Sequence, residues 1–161
     1  MIRNFDIKDA PQLLAIYNYY VEKSNTTLDI KKASPKAFSS KLAKIKKSFP
    51  FLVVENEGKV VGYAYASEWK AKHGYSLTVE TTIYIDPSVK GKGFGTQLYR
   101  VLISELKKLG YRVAIGCLTL PNAGSVGLHE KMGFIKVAHF PGIAIKFDKK
   151  VDVGYWQLNI L

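Results

Sequence analysis

The chain has 161 residues, a length that suits one domain with a sizeable core, so we expect a single domain over 1–161. Hydrophobic residues make up 47% and charged residues 23% of the chain, the balance of a globular protein and not of a disordered or membrane protein. No signal-peptide pattern is present, and no run reaches the roughly 18 apolar residues of a membrane span, so we expect a cytoplasmic protein without a membrane partner.

The net charge of +11 raises the question of nucleic-acid binding. The positive charge is spread from Lys8 to Lys150, and arginine, the better base-reading residue, stands only at positions 3, 100 and 112. This distribution favours a solvated lysine-rich surface, so we expect no nucleic-acid partner. Cys117 is the only cysteine, which excludes an intramolecular disulfide, and its apolar run VAIGCL favours a buried core residue over a nucleophile.

In the first half of the chain, the patterns predict two helices and three strands after a short opening strand over 2–5. One helix begins at Asp9-Ala10-Pro11, and Ser34-Pro35 opens a second one that runs to about Lys47. Apolar runs over 51–54 and 59–66 flank a polar turn with a glycine, which predicts two antiparallel strands. Residues 78–85 alternate β-branched and aromatic types and predict a strand that ends at Asp86-Pro87.

The second half begins with a glycine-rich turn and a helix whose leucines, from Leu98 to Leu109, follow a helical spacing up to a cap at Gly110. A strand over 112–118 and a helix over 122–132 follow. Closing strands are predicted over 134–139, 143–147 and 153–160, of which the last two could pair. The order β-α-α-β-β-β-α-β-α, followed by closing strands, predicts an α/β (α+β) fold with a central mixed β-sheet flanked by helices.

The glycine-rich turn between the strand over 78–85 and the next helix is the clearest functional feature. Alternate glycines allow successive N–H groups to point inward, and the helix start adds unpaired donors and a partial positive charge. A diphosphate site or a plain tight turn would both fit, while the spacing excludes a Walker A loop. The expected anion-binding backbone comprises Gly91, Lys92, Gly93, Phe94, Gly95 and Thr96.

The element order and the turn resemble the GCN5-related N-acetyltransferase (GNAT) superfamily. Its pyrophosphate motif is Gln or Arg, two residues, Gly, one residue, then Gly or Ala, and Lys90, Gly93 and Gly95 stand at those positions. The stretches 121–134 (PNAGSVGLHEKMGF) and 69–75 (WKAKHGY) are similar to the phosphinothricin and methionine-sulfone acetyltransferase branch. The resemblance covers nearly the whole chain. It implies the GNAT fold of acyl-CoA N-acyltransferases, with acetyl-CoA as cofactor, CoA as product and no metal ion.

The resemblance also implies two catalytic residues. Glu80 stands where the general base is expected, because an ammonium ion must lose a proton before it can attack a thioester. Burial would raise the pKa of Glu80 toward the working range, while a neighbouring lysine that satisfies the carboxylate is the alternative. His129 stands where many members have a tyrosine that protonates the departing thiolate, although a lone histidine on a helix can equally serve packing.

For the cofactor, the resemblance implies that the pantetheine arm pairs with the fourth strand where the fourth and fifth strands splay. Ile83, Tyr84 and Ile85 are the matching positions, and their N–H groups could also polarise the thioester carbonyl. Asn122 matches a residue that contacts the pantetheine side, and an asparagine there would also cap a helix unaided.

For the acceptor, Lys70, Lys72 and Tyr75 match positions near its acidic group, and Lys146 matches a basic position in a later strand. The chain departs from the branch at 143–145 and 148–150, where the acceptor pocket is expected. The leading hypothesis is direct acetyl transfer to the amine of a small amino-acid analogue such as phosphinothricin, methionine sulfone or methionine sulfoximine. A polyamine or protein amine as acceptor and a non-catalytic basic binding module are the alternatives. A homodimer is expected, with 155–161 as an interface or a core strand.

Overall fold

The computed structural model describes residues 1–161 and shows helices on both faces of one seven-stranded mixed sheet. Short 3-10 turns at Ile7–Asp9, His73–Tyr75 and Pro87–Val89 join some of the elements. In chain order the strands and α-helices are β1 (Ile2–Asn4), α1 (Ala10–Lys23), α2 (Pro35–Ser48), β2 (Phe51–Asn56), β3 (Lys59–Glu68), β4 (Thr78–Ile85), α3 (Phe94–Lys108), β5 (Val113–Leu120), α4 (Ala123–Lys131), β6 (Ile135–Lys146) and β7 (Lys149–Asn159).

Local sequence signals account for most of these boundaries. The side chain of Ser34 accepts a hydrogen bond from the backbone of Ala37 at 3.2 Å and caps α2. Glu57 and Gly58 both have positive φ, 50° and 75°, which matches the right-handed twist of the β2–β3 hairpin. Gly110, with φ 84°, follows the end of α3. The predicted helices, hairpin and fourth strand are therefore confirmed.

The sheet has the strand order β1-β2-β3-β4-β5-β7-β6, in which only β4 and β5 run parallel. Their pairing extends from Thr78 opposite Val113 to Thr81 opposite Gly116 and stops there, so the two strands separate from Thr82 and Cys117 onward. The separated ends leave a gap in the middle of the sheet. This gap positions the candidate site.

Separate cores cover the two faces of the sheet. On one face α3 packs through Leu98, Leu102 and Leu106 against Val79 and Trp156, all of them buried. On the other face α1 and α2 pack against β2 and β3 through a cluster of 14 buried residues, half of them aromatic. Side chains alternate across β4, so Glu80 and Tyr84 lie on the α1 side while Thr81 and Ile83 lie on the α3 side.

Two predictions about the C-terminal half are wrong. Residues 134–139 and 143–147 are not separate strands, because β6 runs continuously over 135–146 with an irregular register between Phe140 and Ala144. Gly142 (φ 59°) bulges out there and donates its N–H to Asp152 Oδ1 at 2.7 Å, which keeps the strand together. Cys117 is exposed and not buried, because it is the first β5 residue beyond the paired part of the β4–β5 ladder.

The C-terminal run of the chain is a core strand, since β7 lies between β5 and β6 and Trp156 is 2% exposed. The edge beyond it is β6. None of the helices has both the length and the apolar character required to cross a bilayer.

Candidate active site

Two cavities meet at the gap between β4 and β5. The first, which we call the turn cavity, encloses about 420 Å³ between the end of β4, the glycine-rich turn and α4. The second, which we call the carboxylate cavity, encloses about 310 Å³ and is lined by Glu80, the separated part of β5 and the loop after α1. Both cavities are lined by Thr26, Ile83, Tyr84, Asn122 and Ser125. A molecule that lies in one can therefore reach the other.

The glycine-rich turn provides backbone donors to the turn cavity. Gly91 and Gly93 have φ of 80° and 84°, a conformation that glycine adopts without strain. The first hydrogen bond of α3 is donated by the N–H of Gln97 to the carbonyl of Gly93 at 3.1 Å. The N–H groups of residues 94–96 precede that bond and have no partner within the helix. This end of the turn cavity suits an anion.

Gly95 serves a second purpose in the same turn. A β-carbon at this position would lie 3.2 Å from Leu128 of α4, so the glycine allows the two helices that flank the turn cavity to approach each other closely. Of the residues predicted to hold the anion, Lys92 alone does not line the cavity. Lys90 does line it, with Nζ 4.9 Å from the centre of the Tyr20 ring.

The end of β4 offers an unpaired strand edge to both cavities. Ile83 and Tyr84 pair with β3 on one side, and on the other side β5 has moved away. The hydroxyl of Tyr20 donates to the carbonyl of Ile85 and closes the far end of this edge. An extended ligand can add to such an edge as a further strand. The predicted splay of β4 and β5 is therefore present, and it lies beside Ile83, Tyr84 and Ile85, the positions predicted to bind the cofactor.

Glu80 lines the carboxylate cavity and makes no ion pair. Its pKa is raised because burial penalises the charged carboxylate, and the positive charge of Lys41 only partly opposes that effect. A half-buried carboxylate with a raised pKa and no fixed partner can accept a proton from a bound molecule.

His129 reaches the carboxylate cavity from the opposite face of the sheet. Its side chain is held on both sides, by Tyr99 OH at 2.8 Å from Nε2 and by the Ser125 carbonyl at 2.7 Å from Nδ1. Burial lowers the pKa of His129, and the bond to Ser125 opposes this shift. The ring rests on Gly116, where a β-carbon would come within 2.7 Å of it. The gap in the sheet therefore brings Glu80 and His129 to one cavity.

The predicted acceptor residues lie outside both cavities. Lys70, Lys72 and Tyr75 are exposed in the connection between β3 and β4. Lys70 Nζ lies 5.5 Å from the centre of the Trp69 ring, and Trp69 packs edge-to-face on Tyr155, the ladder partner of Cys117. This connection thus borders the carboxylate cavity without lining it.

Lys146 is buried, with 1% of its surface exposed. Its Nζ donates to the carbonyls of Thr27 at 2.7 Å and Tyr20 at 3.4 Å, and burial lowers its pKa. These bonds fasten the loop after α1 to β6. Lys146 therefore stabilises residues that line the cavities and does not itself line either cavity.

Sequence reasoning missed three residues of the carboxylate cavity. Asp29 lines it and accepts a hydrogen bond from the Tyr17 hydroxyl, while Tyr99 contacts His129 and Thr81 contacts Tyr99. The polar stretch over 24–27 marked the loop that carries Asp29. Tyr99 gave no such signal, because an aromatic residue on the apolar face of α3 is indistinguishable in sequence from a core residue.

The glycine-rich turn, the open strand edge and the carboxylate of Glu80 lie along one gap, an arrangement that suits a transferase with a long anionic group donor. The family model described as Acetyltransferase (GNAT) family matches residues 11–134. The chain therefore belongs to the GNAT family and is an acetyltransferase, as the sequence motifs predicted.

Relatives of established name agree with this assignment. Phosphinothricin N-acetyltransferase of Streptomyces viridochromogenes is 33% identical over 97% of this chain and 85% of its own length. L-methionine sulfoximine/L-methionine sulfone acetyltransferase of Pseudomonas aeruginosa is 34% identical over 99% of this chain and 94% of its own. The predicted resemblance to this branch is confirmed.

Solved structures agree as well. An acetyltransferase from Salmonella typhimurium, determined with its cofactor acetyl-CoA, superposes with a TM-score of 0.96 at 30% identity and covers 100% of this chain and 94% of its own. A GNAT superfamily phosphinothricin acetyltransferase from Sinorhizobium meliloti, in complex with acetyl-CoA, gives a TM-score of 0.96 at 27% identity over 99% and 87% of the two chains. The predicted fold class is confirmed.

Proposed function

We propose that the protein transfers the acetyl group of acetyl-CoA directly to the amine of a small molecule, with Glu80 as general base. The observation that carries the proposal is the open edge of β4, which leads from the anion-binding end of the turn cavity to the cavity that contains Glu80. A donor and an acceptor bound in the two cavities would meet at the gap.

The turn cavity has the features that acetyl-CoA requires. Residues 94–96 supply free N–H groups for the pyrophosphate, and Ile83, Tyr84 and Ile85 supply a strand edge for the amide-containing pantetheine arm. Asn122 lines both cavities, beside the place where the two compartments join. These residues would hold the donor so that its thioester faces the carboxylate cavity. Lys92 is left without a direct part in this proposal.

The reaction requires one proton to leave the acceptor before attack. Glu80 accepts a proton from the bound ammonium group, and the free amine nitrogen then attacks the thioester carbonyl carbon. A C–N bond forms, the C–S bond breaks, and the nitrogen passes its second proton to the neutral His129. The departing thiolate takes up a proton, which we assign to His129. N–H groups on the open edge of β4 would stabilise the charge on the carbonyl oxygen.

For the acceptor, we propose an amino-acid analogue with an acidic group, as the names of the two relatives indicate for those proteins. Lys70 supports this choice, because it lies over Trp69, which packs on Tyr155 at the border of the carboxylate cavity. The exposed Lys72 and Tyr75 follow in the same connection. Lys146 supports it only indirectly, since its ammonium group already binds two backbone carbonyls.

A second acceptor class, an amine with another positive charge such as a diamine, is favoured by one observation. The carboxylates of Asp29 and Glu80 both line the carboxylate cavity. Asp29 would attract a distant ammonium group while Glu80 acts on the reacting one.

Release of free CoA thiol from acetyl-CoA, measured across a panel of amines, tests the function. Turnover with phosphinothricin or methionine sulfoximine would establish the first class, and turnover with diamines alone would establish the second. Asp29→Asn should raise the KM for a diamine about tenfold through loss of one ion pair. Asp148→Asn is the matched control, since this exposed residue in the β6–β7 turn has φ 58°, which asparagine tolerates. Salt-sensitive DNA binding without turnover on any amine would overturn the enzymatic proposal.

We also propose a homodimer formed through the β6 edge of the sheet. Exposed apolar side chains line this strand and the turn after it, namely Ile135, Val137, Phe140, Ile143, Ile145 and Phe147. An exposed apolar edge strand is a typical association surface. Light scattering after size exclusion measures the mass directly, and Ile145→Lys should shift it toward the monomer. The predicted cytoplasmic location stays a proposal.

A further inference from the structure

A chain of buried hydroxyl groups connects His129 to the point where β4 and β5 separate. Thr81 Oγ1 lies 3.1 Å from Tyr99 OH, and Tyr99 OH lies 2.8 Å from His129 Nε2. Thr81, Tyr99 and His129 are 5%, 0% and 3% exposed. Thr81 is the last residue of β4 that pairs with β5, and it lines the carboxylate cavity. The chain therefore ends at the gap where donor and acceptor would meet.

The direction of the hydrogen bonds in the neutral state follows from the Ser125 carbonyl. A carbonyl only accepts, so the 2.7 Å contact requires a proton on His129 Nδ1. Nε2 then carries a lone pair and accepts from the Tyr99 hydroxyl. The Tyr99 oxygen in turn can accept from the hydroxyl of Thr81. With the hydrogen bonds in this direction, the polar side-chain atoms of His129, Tyr99 and Thr81 all have a partner.

The same atoms also satisfy a positively charged His129. The Nε2 proton would then be donated to the Tyr99 oxygen, the Tyr99 proton to Thr81 Oγ1, and the Thr81 proton to the carbonyl of Ile115, which lies 3.4 Å away. Only the direction of donation changes, while each pair of atoms stays in contact. A buried group that lacked such an alternative would lose a hydrogen bond on protonation, at considerable cost.

We propose that Thr81 and Tyr99 are positioning residues that let His129 take up and release a proton inside the protein. Release follows the chain outward: Nε2 gives its proton to the Tyr99 oxygen, Tyr99 gives its own to Thr81, and Thr81 gives its own to a base at the gap. Each hydroxyl gains one proton and loses one, and His129 becomes neutral. Because His129 is neutral before turnover, it first takes up a proton along the same path in reverse. This use of the proton rests on the proposed function, in which the source is the second proton of the amine nitrogen and the base that finally receives it is the departing CoA thiolate.

Besides the hydroxyls of Tyr99 and Thr81, one other hydroxyl faces His129, that of Ser125 at 3.5 Å from Nδ1. Phe134 packs edge-to-face on the ring at 5.1 Å, the backbone of Gly116 lies beneath it, and the Ser125 carbonyl accepts from Nδ1 at the shorter distance of 2.7 Å. Burial raises the pKa of Tyr99, and the negative charge of Glu80 adds to that effect, so the Tyr99 hydroxyl stays protonated. Burial favours the neutral ring, so in the free enzyme at neutral pH the Tyr99 hydroxyl donates to His129 Nε2.

Thr81→Val tests the proposal, because it keeps the shape of the side chain and removes its hydroxyl. Neutral His129 still accepts from Tyr99, but the charged form leaves the Tyr99 proton without an acceptor. The His129 pKa, measured by NMR titration of the ring, should therefore fall by about one unit, the order of the cost of leaving one buried hydroxyl proton without an acceptor. Tyr99→Phe should lower it at least as much. Thr81→Ser keeps the hydroxyl and should recover the pKa.

The protein provides its own controls, because the other two histidines, His73 and His139, are exposed and make no contact with Thr81 or Tyr99, so their ring signals should be the same in the wild type and the variants. The titration needs neither acetyl-CoA nor an amine, so its outcome is independent of the proposed function. An unchanged His129 pKa in both Thr81→Val and Tyr99→Phe would overturn the proposal. So would a wild-type His129 that stays neutral between about pH 4 and about pH 8, since the reversed direction would then not be used. In turnover, Thr81→Val should lower kcat and leave the KM for acetyl-CoA unchanged.

Discussion

The turn cavity and the carboxylate cavity differ in what builds them. The turn cavity depends on backbone: left-handed Gly91 and Gly93, the free N–H groups at the start of α3 and the open edge of β4, all within residues 83–96. The carboxylate cavity depends on side chains from distant elements, including Asp29, Glu80 and His129. A backbone site tolerates side-chain changes such as the lysine at position 90. A side-chain site changes its ligand with a few substitutions, which suits a common donor and a variable acceptor.

The largest effect is expected for Glu80→Gln in the carboxylate cavity. Glutamine keeps the shape of the side chain but cannot take a proton from an ammonium group at neutral pH. We expect kcat to fall by about 10²–10³-fold, within the range of general-base catalysis, with unchanged affinity for CoA. Steady-state kinetics and calorimetric titration with CoA measure the two quantities. An undiminished kcat would show that Glu80 is not the general base. It would also contradict the assignment of the proton transfer to the carboxylate cavity.

The pH dependence sharpens this prediction. Because burial raises the pKa of Glu80, the carboxylate becomes an available base only above the usual carboxyl range. The wild-type kcat/KM should therefore be low in acid and rise with pH through that pKa. Glu80→Gln should lack this acid limb, measured with an acceptor whose own ammonium pKa is known. A limb of unchanged position in the variant would assign it to another group.

The turn cavity is tested by Gly93→Ala, with Gly110→Ala as the matched control. Both glycines have φ 84°, they stand at opposite ends of α3, and neither has a neighbour that an alanine methyl group would crowd. Left-handed strain should cost each variant about 1–2 kcal/mol of unfolding free energy, measured by urea denaturation. If Gly93→Ala keeps its fold by moving the turn, its affinity for CoA should fall about tenfold.

Gly110→Ala should bind CoA as the wild type does, because the C-terminal end of α3 is remote from both cavities. Equal CoA affinity in the two variants would contradict the placement of the pyrophosphate at the turn. The comparison separates a binding effect from a stability effect, since the strain is the same in both.

The difference between the cavities also explains what the sequence could predict. The turn, the strand before it and the Asn122 cap are local patterns, so residues 83–96 and α4 were located without the structure. The splay of β4 and β5 followed only from the family resemblance, because nothing local in 78–85 or 112–118 shows where a parallel pair separates. Its consequence, the exposure of Cys117, was missed for the same reason: VAIGCL is apolar, and a gap beside a strand leaves no periodic signal.

Residues whose role depends on side-chain direction were the hardest to place. Lys146 lies on the predicted strand, but its ammonium group turns inward to the carbonyls of Thr27 and Tyr20, a choice made by a loop more than a hundred positions away. Lys70 lies over the ring of Trp69, and the position of Trp69 is set by its packing on Tyr155, which is distant in sequence. A lysine-rich chain offers many such positions, and its sequence does not distinguish a ligand-binding lysine from one that fastens a loop.

The smallest effect is expected at Asn122, where the two cavities join. Its Oδ1 accepts the N–H of Ser125 at 3.1 Å and caps α4, much as Ser34 caps α2 through Ala37 at 3.2 Å. Asn122→Ala and Ser34→Ala should therefore each lose about 1 kcal/mol of unfolding free energy. Only Asn122→Ala should also raise the KM for acetyl-CoA, by about threefold to tenfold, the equivalent of one weakened hydrogen bond. If both variants show the same KM, Asn122 is a helix cap and nothing more, and the contact at the join must come from Ser125 or the edge of β4.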